Sequence, residues 1–343
     1  MSLPPKEIPL GAIRFNSDSQ KLEYFNGDVW MQVHTFSPNL GGNGGPSGNP
    51  TGNSADKVAG ARGCVGGGYD TPTSVSYIDY FNIASQGNGI NFGDLLYSQN
   101  RNASCASSTR GYWGGGAPGA VNTINTIVFA STGNATDYGD MNNGFLYGAA
   151  CGSETRGTWA LGDIGGGSGV NQISYTVLSS GGAGKDFGDL SQARNRLGAF
   201  SSPTRGVFTG GYAPGNVNTI DYITISSDGN ASDFGDLQET RHGCSGLANS
   251  IRGLTVSGSG KQTEVVNIAS KGNAVRFGAK PHKDEYGGAC ASPTRGIFAG
   301  GNPDSNEISY VMIATEGDWV DFGDLTYGRF GASGCSNAHG GLG

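Results

Sequence analysis

The sequence predicts an all-β chain, a six-bladed β-propeller carried behind a small N-terminal β module. Three observations predict it. An Arg-Gly pair heads a short β-like run at Arg62, Arg110, Arg156, Arg205, Arg252 and Arg295, at intervals of 48, 46, 49, 47 and 43 residues. Each period holds four short strand-like runs, and a period of about 40 to 50 residues with four strands is the signature of propeller blades. Gly, 63 of the 343 residues, recurs at fixed places in that period, where turns between strands need it.

Composition narrows the class. Charged residues make up 14% and helical heptads are absent, which fits short strands and opposes a coiled coil. The net charge is -7 and there is no Lys/Arg run, so nucleic acid is not expected as a partner. The opening MSLPPKEIPLGAIRF has no apolar run and reads as no signal peptide. The chain holds no 18-residue apolar span, so no membrane insertion is expected.

Six cysteines suggest a disulfide set, but the repeat assigns four of them another role. Eleven residues past the Asp of each FGD-type motif lies one position held by Cys105, Cys151, Phe200, Leu247, Cys290 and Cys335. That is an apolar slot repeated around a ring, and slots in different blades point to separate places. Buried thiols are expected, as in a reducing cytoplasm.

Residues 1–35 stand apart from the repeat. GAIRFNSDSQKLEYFNGDVWMQV reads as three short strands near 12–15, 21–25 and 29–33, the second turn carrying an Asn-Gly hairpin signal. Some thirty residues bury little alone, so Ile13, Phe15, Leu22, Tyr24 and Trp30 need cover from outside and are the candidate docking residues. Residues 36–58, rich in Gly, Asn, Pro and Ser, predict a flexible tether, and 59–343 hold the propeller. The run Gly11, Ile13, Arg14, Phe15, Asn16, then Leu22, Glu23, Tyr24, Phe25, Gly27, then Trp30 resembles a short β module of bacteriophage tail-fibre and other virion proteins. It covers about a tenth of the chain.

Within the repeat, a Gly/Ala-rich run ends in the slot, a tight turn follows, and a TRGVF-type run closes on a Gly pair. Those pairs are clearest at Gly67-Gly68, Gly115-Gly116, Gly210-Gly211 and Gly300-Gly301. An alternating strand and then GNASDFGDL complete the unit. This order resembles the Kelch repeat. It departs from that pattern in the fourth strand, where Phe92, Tyr138, Phe187, Phe234, Phe277 and Phe322 stand in place of the usual Trp. The first unit lacks a first strand and the C-terminal RFGASGCSN lacks anything after it, so the C-terminal run is expected to complete the blade of Arg62.

The Arg series has two readings, an anion site or a structural bond to backbone carbonyls. The fifth unit reads RFGAK at 276–280, losing both usual Asp positions, yet keeps Arg252. Carbonyls are present in every blade, so the structural reading is preferred. DFGD recurs at four places without kinase context and reads as a turn element. Its paired Asp oxygens suit a hard cation, but EF-hand spacing is absent. The N-x-S/T matches at Asn134 and Asn230 are by-products of the repeat. No two of His34, His242, His282 and His339 lie at metal-ligand spacing, and no G-x-S-x-G element appears. No metal, no cofactor and no enzymatic activity are expected, and the copper set of the Kelch-type galactose oxidase has no counterpart. Catalytic carboxylates scattered over loops would escape such a scan.

The variable loops after the second strands should share one face with the loops between units. That face gathers Tyr69, Tyr97, Phe145, Tyr147, Tyr212, Tyr286 and Tyr327, candidates for sugar stacking or protein contact. Both resemblances together imply a bacteriophage virion protein of tail-fibre or appendage type, assembled in the host cytoplasm and present in multiple copies or as a homo-oligomer. Its N-terminal module would join other virion proteins, and its propeller would meet host-surface glycan through many weak contacts. The other classes are a purely structural capsid or tail connector and a carbohydrate-active enzyme.

Overall fold

A blade must be narrow at the ring's axis and wide at its rim, and residue size follows that taper. The computed structural model describes residues 12–16, 21–25, 28–32, 61–260, 262–280 and 284–342, in two units, Met1–Ala59 and Gly60–Gly343. The second unit is a six-bladed β-propeller of antiparallel sheets. Blade 1 runs outward through Ser333–Ser336, Arg62–Gly66, Tyr77–Asn82 and Ile90–Asp94. Blades 2 to 6 begin at the axis with Ala103–Ala106, Ala149–Gly152, Gly198–Ser201, Cys244–Ala248 and Gly288–Ala291. Their fourth strands are Thr136–Phe145, Lys185–Arg194, Ser232–Arg241, Val275–Ala279 and Val320–Asp324. Blade 4 adds the short strand Tyr212–Ala213.

The C-terminal strand closes the ring as expected, pairing Gly334 with Val65, Cys335 with Cys64 and Ser336 with Gly63. The rest of that terminal run departs from a plain first strand. Arg329 is a buried cation rather than a strand residue, and Gly340–Leu342 form a 3-10 turn.

Six first strands crowd one axis, which is why they are built from Gly, Ala, Ser and Cys. A Cβ on Gly246 would lie 2.3 Å from the Ala199 carbonyl oxygen of the neighbouring blade. The slot residues point out of this layer into the next blade. Each meets the Gly of the following Arg-Gly pair. A Cβ on Gly111 would sit 2.9 Å from Cys335 Sγ, on Gly157 2.7 Å from Cys105 Sγ, and on Gly206 2.9 Å from Cys151 Sγ. Gly63 receives Cys290 in the same way, Gly296 receives Leu247, and Gly253 receives the Phe200 ring. The repeat keeps Gly there for space, not for backbone freedom.

Gly253→Ala would set a Cβ 1.9 Å from the Phe200 ring, so it should cost roughly 1–3 kcal/mol by overpacking. Adding Phe200→Cys, the residue four other blades use, should restore the denaturation midpoint. Failure of that rescue would break the proposed slot.

All six cysteines are free and buried. Burial pushes each thiol up, Cys151 to about 11 and Cys244 to about 12, so they stay protonated and behave as small apolar groups.

Five of the six junctions between blades are stitched by the same bonds. Arg205 Nη1 donates to the carbonyls of Ile268 (2.7 Å) and Ala269 (3.1 Å), and Arg295 Nη1 to those of Ile83 and Ala84. Arg156 and Arg252 do the same to Ile225 and Ile313, and Arg62 to Phe129. Arg110 is exposed, and the matching carbonyl of Leu178 instead accepts the Tyr112 hydroxyl at 2.9 Å. The GNA turns face the preceding blade. Asn88, Asn134, Asn230 and Asn273 Oδ1 accept the backbone N–H of Asp324, Asp94, Asp189 and Asp236 at 3.0–3.1 Å. Gly188 of DFGD has φ 143°, and a Cβ there would meet the Gly229 carbonyl at 2.5 Å. The DFGD and GNA motifs are thus two halves of one contact between blades.

Buried ion pairs add a link that the sequence reading missed. Arg194 Nη1 lies 2.8 Å from Asp221 Oδ2, Arg329 Nη2 lies 3.2 Å from Asp79 Oδ2, and Arg241 pairs with Glu264. The acids also accept backbone N–H groups of Ser191, Thr326 and Gln238. An apolar cluster fills each of the six junctions. The fourth-strand aromatics anchor these clusters. Phe92, Phe187, Phe234, Phe277 and Phe322 are buried, each contributing about 1.5–3 kcal/mol.

The N-terminal unit forms a three-stranded antiparallel sheet of Ile13–Asn16, Lys21–Phe25 and Trp30–Gln32. Register splits the docking candidates between the two faces of the sheet. Ile13 pairs with Tyr24, and both are exposed, at 67% and 38%. Trp30 stands on the other face, 5.5 Å from the Phe25 ring and beneath the Arg14 guanidinium at 4.2 Å. Alternation of side chains along a strand forces that split. The side chains of Phe15 and Leu22, and the tether at 36–58, lie outside what is described.

Candidate functional site

Seven residues past each FGD-type Asp position, the chain turns from one blade into the next. The six equivalent corners are Arg101, Tyr147, Arg196, Gly243, Tyr286 and Gly331. All six take positive φ, between 55° and 69°. Their backbones bond in a closed circle. Tyr147 N–H donates to Arg101 C=O, Arg196 to Tyr147, Gly243 to Arg196, Tyr286 to Gly243, Gly331 to Tyr286 and Arg101 to Gly331, at 2.6–3.1 Å. This hoop rims one end of the central channel.

Left-handed backbone suits Gly, and a bulky side chain there costs about 1–3 kcal/mol. Two corners use Gly. The other four hold Arg or Tyr, so the side chains themselves are what the corner supplies. They converge. The rings of Tyr147 and Tyr286 come from opposite corners and meet with centroids 6.0 Å apart. Arg101 and Arg196 both stack on the Tyr147 ring, each 4.7 Å from its centroid. Gly243 leaves room for the Tyr286 ring, which lies 3.1 Å from where its Cβ would be. Burial pushes the Tyr286 phenol up to about 12, so it keeps its proton.

The cavity below spans about 610 Å³ counted out to open solvent, and its wall is the small-residue layer, including Ser104, Ala150, Ala199 and Gly334. Its far end is closed. The turn Gly340–Leu342 sits against the first strands so tightly that a Cβ on Gly341 would lie 1.8 Å from the Gly152 carbonyl. His339 holds this plug. Gly341 N–H donates to His339 Nδ1 at 3.1 Å, so the ring proton sits on Nε2, 2.8 Å from the Ala106 carbonyl. The propeller therefore offers a pocket, not a pore.

Burial lowers the His339 pKa below its ordinary value of 6.5. As pH falls through 6.5 the unfolded chain takes up a proton that the folded chain refuses, so stability present above 6.5 is lost below it. His339→Gln keeps a donor for Ala106 without that titration. Wild-type stability should fall relative to the variant between about pH 7.5 and pH 5.5. A gap in melting temperature that ignores pH would show the ring is not gating the plug.

Loops after second strands and loops between blades bridge one another at Tyr69–Phe330, Asn100–Ala117, Asn195–Tyr212 and Glu285–Asn302. Of the tyrosines read from sequence, Tyr147 and Tyr286 lie at the mouth. Tyr212 lies beside it, 5.9 Å from the His242 ring and 5.4 Å from the Arg196 guanidinium. Tyr97 and Tyr327 are exposed farther out, Tyr327 against Tyr77 at 5.1 Å. Tyr69 packs on Phe330, and its hydroxyl donates to the Pro72 carbonyl. Phe145 is not on the face. It is fully buried against Trp159 and over Gly115, because its strand runs on into the core.

Arg101 and Arg196 were not foreseen. The signal was a repeat position occupied by Gly in two units and by Arg or Tyr in four. Among the described residues, no group of three or more His, Cys, Asp or Glu is placed to hold a metal, and no helix is long and apolar enough to cross a membrane. A comparison with protein-family models finds no match, and neither does a comparison with curated proteins.

Proposed function

We propose that this chain is a non-enzymatic recognition protein of a bacteriophage particle, of tail-fibre or appendage type, whose propeller presents the channel mouth to host-surface glycan. One observation carries the recognition role. Four corners hold Arg or Tyr in a backbone conformation that favours Gly, at the rim of a closed-bottomed pocket. Strain of this kind is kept where side chains meet a ligand. The phage setting is supported by the GAIRFN…KLEYFNG…W run, and particle docking by the exposed pair Ile13 and Tyr24. Several copies on one particle would turn weak contacts into firm attachment.

Two measurements test this. The full-length protein should bind host cells or a glycan array, and Tyr147→Ala with Tyr286→Ala should reduce that binding. A full-length protein that binds neither surface would leave a connector role in place of recognition. Deleting residues 1–35 should leave the propeller soluble but absent from particles. Normal incorporation of that deletion would move the anchor elsewhere.

A further inference from the structure

The two mouth arginines differ from the other arginines of the propeller core. Arg194, Arg241 and Arg329 each have a buried acid, and five of the six repeat arginines bond carbonyls of the next blade. Arg101 and Arg196 have neither among the described residues, and their recorded side-chain contacts are to tyrosine rings. Arg196 Nε is buried with no hydrogen-bond partner, as are the Nε atoms of Arg194, Arg241 and Arg329, but those three have an acid on another nitrogen and Arg196 has none among the described residues. The corner amides and carbonyls are already used in the hoop, so the free donors at the mouth belong to side chains. Two guanidinium groups flanking one aromatic face, with a second phenol across the opening, match a ring that carries a carboxylate.

We propose that the mouth binds an acidic sugar, its carboxylate held by Arg101 and Arg196 and its ring lying against Tyr147 and Tyr286. The inference rests on the recognition reading and names its ligand class. A planar carboxylate accepts paired N–H bonds from a guanidinium, and the apolar face of a sugar ring covers a phenol ring.

The same two glycines supply the variant. Arg101→Gly with Arg196→Gly places at these corners the residue already used at two others, so the fold should survive with its melting temperature unchanged or raised. Titration calorimetry on the full chain would use glucuronate, galacturonate and N-acetylneuraminate oligosaccharides, their neutral parents, and inorganic phosphate. At least one acidic oligosaccharide should bind, with its neutral parent weaker by roughly tenfold or more, and the double variant should lose that preference. Single variants should each give part of the loss. Neutral sugars binding equally well, tighter binding of phosphate, or an acid preference that survives in the double variant would overturn the proposal. So would failure of all three acidic sugars. Binding of neutral glycans or host cells in that case would leave the recognition reading standing, and its absence as well would remove both.

Discussion

A chain ended at Phe330 should fail to form a cooperative, monomeric propeller. The missing strand Ser333–Ser336 is the axial strand of blade 1. Without it the backbone of Arg62–Gly66 has an open edge, Cys335 leaves its slot at Gly111, and Trp113 Nε1 loses the Ser333 carbonyl at 3.1 Å. Cys64, Val65 and Trp113, all fully buried, would meet water. A propeller tolerates no free edge between neighbouring blades, and the loss approaches the whole stability of about 5–15 kcal/mol expected of a domain. Size-exclusion chromatography should show aggregation, and calorimetry should show no sharp transition. A synthetic peptide of residues 329–343 added in trans should restore the transition. A truncated chain that melts at the full-length temperature would refute the closure.

The second large effect belongs to the buried ion pairs. Asp221→Ala should destabilise the protein by roughly 3–5 kcal/mol, because Arg194 would stay charged with its partner gone. Both side chains are fully buried. The Asp221 carboxylate also accepts the Ser191 backbone N–H at 3.1 Å and its hydroxyl at 2.6 Å, so three donors lose one acceptor. The double change Asp221→Leu with Arg194→Met should recover most of the loss, since an apolar pair fills the space without a stranded charge. Urea denaturation at constant m-value reads both. A single variant as stable as wild type would mean water reaches the guanidinium.

The architecture was legible because it is periodic. Arg-Gly, the slot and FGD repeat at fixed offsets, and each offset corresponds to one bond between blades, so counting along the chain located strands and closure. The small N-terminal sheet was legible in its strands, but its sidedness, with Trp30 on the face opposite Ile13 and Tyr24, comes only from the pairing of Phe25 with Trp30. Phe145 was read as a loop aromatic because the extra residues of the Thr136–Phe145 strand carry no separate mark in sequence. The ion pairs escaped for a different reason. Arg194, Arg241 and Arg329 share an offset, but Gln99, Phe145 and Asp284 hold that offset elsewhere, so each blade interface chose its own chemistry. The mouth escaped because identity varies there while conformation does not, and a scan for repeated letters finds the opposite case.

That contrast between constant conformation and varied identity gives the rim a particular latitude. Because the hoop is written entirely in main chain, exchanging a corner residue alters no bond that holds the blades together. Gly243 and Gly331 carry no side chain, and Asn or Asp would accept the left-handed conformation there once the Tyr286 ring or the Arg101 backbone gives by a few tenths of an ångström. If the mouth recognises a ligand as proposed, a lineage of such chains could change that ligand by substituting six positions spaced one blade apart. Sequencing of variants selected for a new surface should find their changes concentrated at 101, 147, 196, 243, 286 and 331, in a rhythm that nothing in the linear sequence would lead one to connect.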